Sequence, residues 1–409
     1  MEKLGKYCKI ISGYAFKSND LSEGTEIPVI KIGNISNGDD VITDSSTQYV
    51  SSDFLSIDEK YHIKKGDVLI SLTGSHINQP NSMVGRSCRN FSDTEFLLNQ
   101  RAGKVIPNEN ADKNYLYYLL NTESFKYSIC NRAYGAANQA NVSPSDIENI
   151  KWNFPPLRTQ QKIASILSAY DNLIQNYKKQ IEALQTAASE LYKEWFVRFR
   201  FPGYQTTNFE NGIPEGWKVE RIGALYDSTS GGTPSREHEE YFQNGTYPWI
   251  KTGELKDSPI LETEESITDE AIKHSSAKLF EKDSLIIAMY GATIGQLGIN
   301  KMKAACNQAC CVLRPKKDKA FGIYYLFHFF KENREFIIGL GNGAAQQNLS
   351  QVLINKLKIV NPNKEILEIF EKKESLFFEK IYHLQKQITN LTQQRDLLLP
   401  RLMSGKLEV

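Results

Sequence analysis

Several features that would take this chain out of the ordinary globular class are missing. No run of about 18 apolar residues occurs, which excludes a conventional membrane-spanning helix. Cysteines are few, at positions 8, 88, 130, 306, 310 and 311. Their spacing is irregular and comes with no secretory context, so a cytosolic protein with reduced thiols is the expectation. The opening, MEKLGKYCKI, lacks the apolar core of a signal peptide. Nor does one charge predominate: 49 Lys and Arg against 48 Asp and Glu leave a net +1. Bulk charge therefore points to no polyanionic partner. Locally, Lys301, Lys303, Arg314, Lys316, Lys317 and Lys319 fall close together while acids crowd residues 254–270. That segregation permits a basic face, with an ordinary solvated surface as the alternative.

What is present is a plan written twice. Apolar residues recur at alternating steps of four and three through Ile163, Leu167, Tyr170, Ile174, Tyr177, Ile181, Leu184, Ala188, Leu191 and Trp195. Adding 207 to each number gives Phe370, Glu374, Phe377, Ile381, Leu384, Ile388, Leu391, Arg395, Leu398 and Leu402. A 3.5-residue period held this long marks a coiled-coil helix. Only Glu374 and Arg395 break the apolar rule, and such a polar pair is able to set alignment.

The repeat extends beyond the helices. Lys3-Leu4-Gly5 answers Arg221-Ile222-Gly223, and Pro28-Val29-Ile30-Lys31 answers Pro248-Trp249-Ile250-Lys251. Asp67-Val68-Leu69-Ile70 is echoed by Asp283-Ser284-Leu285-Ile286, and Asn99-Gln100 by Asn307-Gln308. Gly135-Ala136-Ala137-Asn138-Gln139 matches Gly343-Ala344-Ala345-Gln346-Gln347, and Pro155 matches Pro362. Matches in one order at offsets between 207 and 220 mean duplication. Each half reads as short β-branched and aromatic strands between turns, with one amphipathic helix near its end, Tyr115–Ile129 or Tyr324–Ile338. The expected fold is α+β: two pseudo-symmetric mixed α/β domains separated by two long helices that form an antiparallel coiled coil. The predicted boundaries are a first domain at 1–157, a spacer helix at 158–200 and a turn-rich connector at 201–216. A second domain at 217–363, a second spacer helix at 364–403 and a tail at 404–409 follow.

A helix of about 36 residues is about 54 Å long. Two similar but non-identical domains on such a ruler suit a bipartite, asymmetric target, and duplex DNA has the matching periodicity. The motifs then bring a family into view. Gly231-Gly232-Thr233-Pro234-Ser235, the run Gly245-Thr246-Tyr247-Pro248-Trp249-Ile250 and Ile213-Pro214-Glu215-Gly216-Trp217 are three of them. Pro155-Pro156-Leu157 through Gln160-Gln161 and Ile163-Ala164 opens the first helix, and Arg395-Asp396-Leu397-Leu398-Leu399-Pro400-Arg401-Leu402 with Gly405 closes the second. With these the whole chain resembles the specificity subunit of type I restriction–modification systems. One departure is that the second helix opens with Asn363-Lys364-Glu365-Ile366 in place of Leu-Arg-Thr-Gln-Gln.

The resemblance implies that each half is a target-recognition domain reading one part of a split sequence in double-stranded DNA. It implies that the helices set the spacing and dock two modification (methyltransferase) subunits, and that restriction subunits carrying the nuclease and motor join them. No cofactor is then expected on this chain; S-adenosylmethionine, Mg and ATP belong to the partners. A non-enzymatic protein–protein scaffold with duplicated binding domains is the alternative.

Candidate catalytic motifs fail on order or context. Asn153-Phe154-Pro155-Pro156 has an amino-methyltransferase loop's residues in the wrong order, and the prolines serve as a helix stop. Gly339-Leu340-Gly341-Asn342-Gly343 follows a predicted helix rather than a strand and lacks a phosphate-binding lysine. Cys306, Cys310 and Cys311 lack zinc-ligand spacing, and the six histidines show no nucleophile pairing. No catalytic residue and no metal site are expected.

Base reading needs donor and acceptor side chains on exposed loops, with positive charge nearby for phosphates. Two loops recur. The first offers Thr73, Gly74, Ser75, Asn78, Gln79 and Arg86 in one half, and Tyr290, Gly291, Thr293 and Gln296 in the other. The second offers Asn138, Gln139 and Asn141, against Gln346, Gln347 and Asn348. Lys17, Lys31, Arg236 and Lys251 are candidate phosphate contacts.

Overall fold

The computed structural model describes every residue except 25, 77–78, 80–81, 137–138, 317–321 and 342–347, and the side chain of Ala136. Its chain contacts form two compact units, Met1–Gln175 with Asn390–Val409, and Asn176–Thr389. The predicted boundaries lay at the helix starts. The unit boundary instead cuts both long helices in the middle, because each half-helix buries its apolar stripe against the domain beside it.

In the first unit a four-stranded antiparallel sheet runs in the order Cys8–Ser12, Ala102–Pro107, Val68–Ser71, Ser87–Arg89. In the second unit the same order returns as Tyr226–Ser230, Cys310–Pro315, Leu285–Ala288, Leu297–Asn300, with Ser258–Ile260 added parallel at the edge. Each domain also carries a second sheet with one parallel pair: Ile27–Ile30 beside Phe96–Leu98, and Tyr247–Ile250 beside Ala305–Cys306. Each domain is closed by pairing its first strand with its last, Glu2–Lys3 on Lys151–Trp152 and Lys218–Arg221 on Lys358–Asn361. Duplication is thus visible in pairing order, which side-chain similarity alone does not guarantee.

Gly13 and Gly231 occupy matching places. A Cβ at Gly13 would lie 2.2 Å from the Leu98 carbonyl oxygen, and one at Gly231 the same distance from that of Asn307. Only glycine allows strands to approach so closely.

The single amphipathic helix expected in each half is two helices. Lys113–Asn121 ends at Thr122, whose hydroxyl then accepts the Phe125 amide to start Glu123–Cys130. Ile323–Glu332 and Arg334–Leu340 break likewise at Asn333. Continuous apolar periodicity hid both breaks: the Thr122 side-chain cap leaves that pattern undisturbed, and at Asn333 no side chain caps the following helix.

The first long helix spans Leu157–Tyr192 and closes in a π turn at Lys193–Val197, slightly short of the predicted 200. The second spans Lys364–Met403. Their starts are tied down differently. Gln160, fully buried, accepts the Asp112 amide at 3.1 Å and donates to the Pro155 and Asn110 carbonyls at 2.9 and 3.2 Å. The second helix, without that glutamine, uses Asn363, whose Oδ1 accepts the Ile366 amide at 3.0 Å. Glu371 about two turns on accepts the Tyr325 amide at 2.7 Å, at the start of the Ile323–Glu332 helix, where a helix offers unpaired donors.

Within the first unit, Ile163, Ala164 and Leu167 share a core with Leu402, with Leu398 and Leu399 packed against it. Within the second, Tyr192, Trp195 and Phe196 share a core with Phe370 and Phe378. Early residues of one helix meet late residues of the other in both units, so the helices pair antiparallel. Of the seam positions, Ile163, Leu167, Ile174, Ala188, Trp195, Phe370, Glu374, Ile381, Leu384 and Leu402 are buried. Tyr170, Tyr177, Ile181, Leu184, Leu191, Phe377, Ile388, Leu391 and Leu398 are half-buried. Asp171, Tyr192 and Phe378, the neighbours of Tyr170, Leu191 and Phe377, are the residues that bury most fully there. A straight helix has 3.6 residues per turn, so a strict 3.5 reading drifts round the surface; here the domain side competes with the helix partner for each buried position.

Both polar seam residues are engaged, each inside one unit. Asp171 sits at the centre of a buried cluster. Its Oδ2 accepts from Tyr118 Oη at 2.5 Å and pairs with Arg89 Nη2 at 3.2 Å, while its Oδ1 pairs with Arg395 Nη1 at 2.7 Å. In the second unit Glu374, fully buried, meets His328 Nε2 at 3.0 Å. Tyr118 and His328 occupy matching positions in the domain helices, and each makes a buried polar contact with the long helix beside it.

Candidate nucleic-acid interface

The two loops singled out in the first half come together. The strand Thr73–Gly74 pairs antiparallel with Gln139–Asn141, which in turn pairs with Tyr134–Ala136, making a three-stranded sheet. The Thr73 hydroxyl donates to Asn141 Oδ1 at 2.8 Å, and the Val142 amide donates to the Leu72 carbonyl at 2.9 Å. A Cβ at Gly74 would lie 2.4 Å from the Ser82 carbonyl oxygen, so glycine is required where this strand passes the following loop. Ser75 is buried, with its hydroxyl 2.7 Å from that of Ser82.

This arrangement divides the nominated residues. Thr73, Asn141 and Ser75 spend their hydrogen-bonding groups on holding the loops in place. Gln79 and Gln139 are exposed and leave donor and acceptor groups for a ligand. Tyr134, 60% exposed and paired opposite Asn141, adds an aromatic face that sequence reading passed over. Asn78, Asn138, Gln346 and Gln347 lie outside the described residues, as do Lys317 and Lys319.

In the second half, Gly291 and Asn348 are exposed and Tyr290, Thr293 and Gln296 half-buried. Gly291 takes φ +85°, a left-handed turn favourable to glycine. The two segments meet here too, through the Leu349 amide donating to the Met289 carbonyl at 2.7 Å.

The cations proposed to meet phosphates differ in availability. Lys17 is exposed. Arg86 is buried and donates to the Ile32 carbonyl at 3.0 Å, and burial lowers its pKa. It holds the loop from inside, so the expectation that it grips DNA is corrected. Lys31 bonds to Gln48, and burial lowers its pKa as well. Lys251 binds Glu264 and Glu265 at 2.7 and 3.0 Å, and those carboxylates raise its pKa. Arg236 pairs with Glu265 at 2.7 Å and lies 4.2 Å over the Phe242 ring. Three members of the basic cluster around residue 301 are already engaged, while Arg314 is exposed. Lys301 is 7% exposed in its side chain between Asp283 and Glu379, Lys303 pairs with Glu281, and Lys316 donates to the Gly223 carbonyl. Pairing partners distant in sequence were invisible to a local count of charge.

Among the described residues no group of three or more His, Cys, Asp or Glu is placed to hold a metal ion, and no helix is long and apolar enough to cross a membrane.

Comparison with known proteins agrees with the duplicated architecture. Residues 1–186 and 214–396 each match the family described as type I restriction modification DNA specificity domain. The MjaIX specificity subunit of a type I restriction enzyme from Methanocaldococcus jannaschii is 30% identical over 77% of this chain and 73% of its own length. The HindI specificity subunit from Haemophilus influenzae is 24% identical over 85% of this chain and 88% of its own. The crystal structure of a type I restriction–modification S subunit from M. genitalium shares the fold, with a TM-score of 0.59 over 98% of this chain and 95% of that one at 16% identity. Two copies of the family's domain, in sequence and in strand order, make the conclusion direct: this chain belongs to the type I restriction–modification DNA specificity family.

Proposed function

We infer that each domain reads one part of a bipartite, asymmetric duplex target, and that the antiparallel helices fix the spacing between the two parts. The carrying observation is the junction of two segments in each domain, made by the same backbone hydrogen bond, Val142 to Leu72 and Leu349 to Met289, but flanked by different side chains. A matched junction roots each reading surface at the same place in its domain, and different side chains select different bases. In this reading the chain supplies sequence choice without catalysis, in a cytoplasmic assembly. Its helices dock two methyltransferase subunits, which bind S-adenosylmethionine, and restriction subunits bring the nuclease, Mg and ATP.

The test is a footprint of the chain together with its methyltransferase partner on one duplex. Two protected patches separated by unprotected bases are expected. Binding indifferent to base sequence would favour a protein–protein scaffold instead.

A further inference from the structure

The junction that joins the two loops of the first domain has a third participant. The Leu72 amide donates to the Arg101 carbonyl at 2.9 Å, while the Leu72 carbonyl accepts from Val142. Arg101 therefore stands where the Thr73 and Asn141 strands meet, directly after the Asn99-Gln100 pair shared by both halves. The second domain repeats the bracket: the Met289 amide donates to the Ala309 carbonyl at 2.8 Å, and the Met289 carbonyl accepts from Leu349. Backbone and preceding Asn-Gln pair agree, and only the side chain differs. Ala309 is buried and inert.

Arg101 is exposed, and among the described residues its guanidinium has no hydrogen-bond or ion-pair partner. Several other arginines of the same unit are occupied, and the exposed Arg158 and Arg401 belong to the long helices. Arg86 and Arg89 are buried against protein groups, and Arg132 donates to the Ser128 carbonyl at 2.9 Å. A free planar fork beside the exposed Gln100 and at the root of a strand bearing Gln139 is suited to bidentate recognition.

We propose that Arg101 is a specificity-determining residue that reads a base edge, with guanine O6 and N7 as its partners, in the part of the target recognised by the first domain. This deepens the function proposed above and rests on it. Phosphate contacts set register and are needed by both domains, whereas base contacts differ between them. An arginine in one domain facing an alanine in the other follows the second pattern.

The experiment uses the complete complex of chain and methyltransferase subunits, with the duplex it methylates and all single-base substitutions of both parts of that target. Wild type must first prefer its target to unrelated duplex; a lack of preference would overturn the bipartite reading and this inference with it. Given that preference, Arg101→Ala is expected to cut discrimination at one position of one part by about 5- to 150-fold, the effect of one bidentate contact. The other part should be read as before. Arg101→Lys keeps the charge without the fork and should also lose discrimination at that position. Thermal unfolding of both variants should match wild type, because the side chain is exposed. Weakening of all duplexes alike, with a shallower salt dependence and rescue by lysine, would make Arg101 a phosphate contact and overturn the assignment. Unchanged discrimination would overturn it equally.

Discussion

Asp171→Ala is expected to destabilise the first unit by about 3–5 kcal/mol, the cost of removing one partner from a buried ionic group. The carboxylate is 3% exposed in its side chain, and Arg89 is 5% exposed, so neither charge is relieved by water. Without Asp171, Arg89 keeps Asn114 Oδ1 at 2.8 Å and the Phe91 ring at 4.3 Å, but no counter-charge. Arg395 retains Asp396 at 2.8 Å and is less exposed to loss. Asp171→Asn preserves shape and one acceptor, and is expected to fall short of wild type mainly through lost charge. Chemical denaturation of the three proteins measures this. A change below about 1 kcal/mol for the alanine variant, the range of surface pairs, would mean that the cluster is effectively solvated.

Glu374→Gln is expected to stabilise the protein at alkaline pH and to do much less at mildly acidic pH. Burial, with Glu371 nearby as the second cause, pushes the Glu374 carboxyl up to about 9 from an ordinary 4.5. His328 is pushed down to about 3 by burial, so the pair meets as two neutral groups. From pH 4.5 upward the unfolded chain releases the Glu374 proton while the folded chain keeps it, and stability falls until about pH 9. His328 acts in the opposite sense: below its ordinary 6.5 the unfolded chain gains a proton that the folded chain refuses until about pH 3. Glutamine removes the first penalty and keeps a donor for His328. Between pH 5.5 and 8.5 the variant's advantage should grow by on the order of 2–4 kcal/mol, at 1.36 kcal/mol per pKa unit. Melting curves at the two pH values read it. An advantage independent of pH would show that Glu374 is ionised in the fold.

Much of this architecture was legible from the chain. The offset repeat gave the duplication because the two copies kept their turn glycines and strand-edge prolines. The helix pair was legible because its apolar stripe runs far longer than a domain helix needs. What the sequence concealed was anything set by partners remote along the chain. Arg86 looked like a free cation, yet its partner is the carbonyl of Ile32; Lys301 looked like part of a basic face, yet it lies between Asp283 and Glu379. Asp171 was passed over because a carboxylate in an apolar seam reads as solvent-facing until Arg89 and Tyr118 arrive from the domain. Arg101 had a signal that went unused: setting the repeats side by side after Asn-Gln places it opposite Ala309.

That comparison also shows where identity lies in a duplicated fold. Strand order, closing strands and the glycines at 13 and 231 are common property, since they solve the same packing problem twice. Differences gather at exposed positions around the loop junctions and at the grip on the long helices, where Tyr118 with Asp171 in one unit stands in for His328 with Glu374 in the other.

The central claim is that helix length dictates the gap between two DNA words. Seven residues inserted after Gln180, with seven after Leu384 to preserve the antiparallel pairing, add about 10 Å of helix at 1.5 Å per residue. That distance is about three base pairs of duplex at 3.4 Å each. Sequencing of methylated adenines in a host carrying the altered gene is expected to show both words intact with a longer unread stretch between them. The same two words at the original separation would contradict the account.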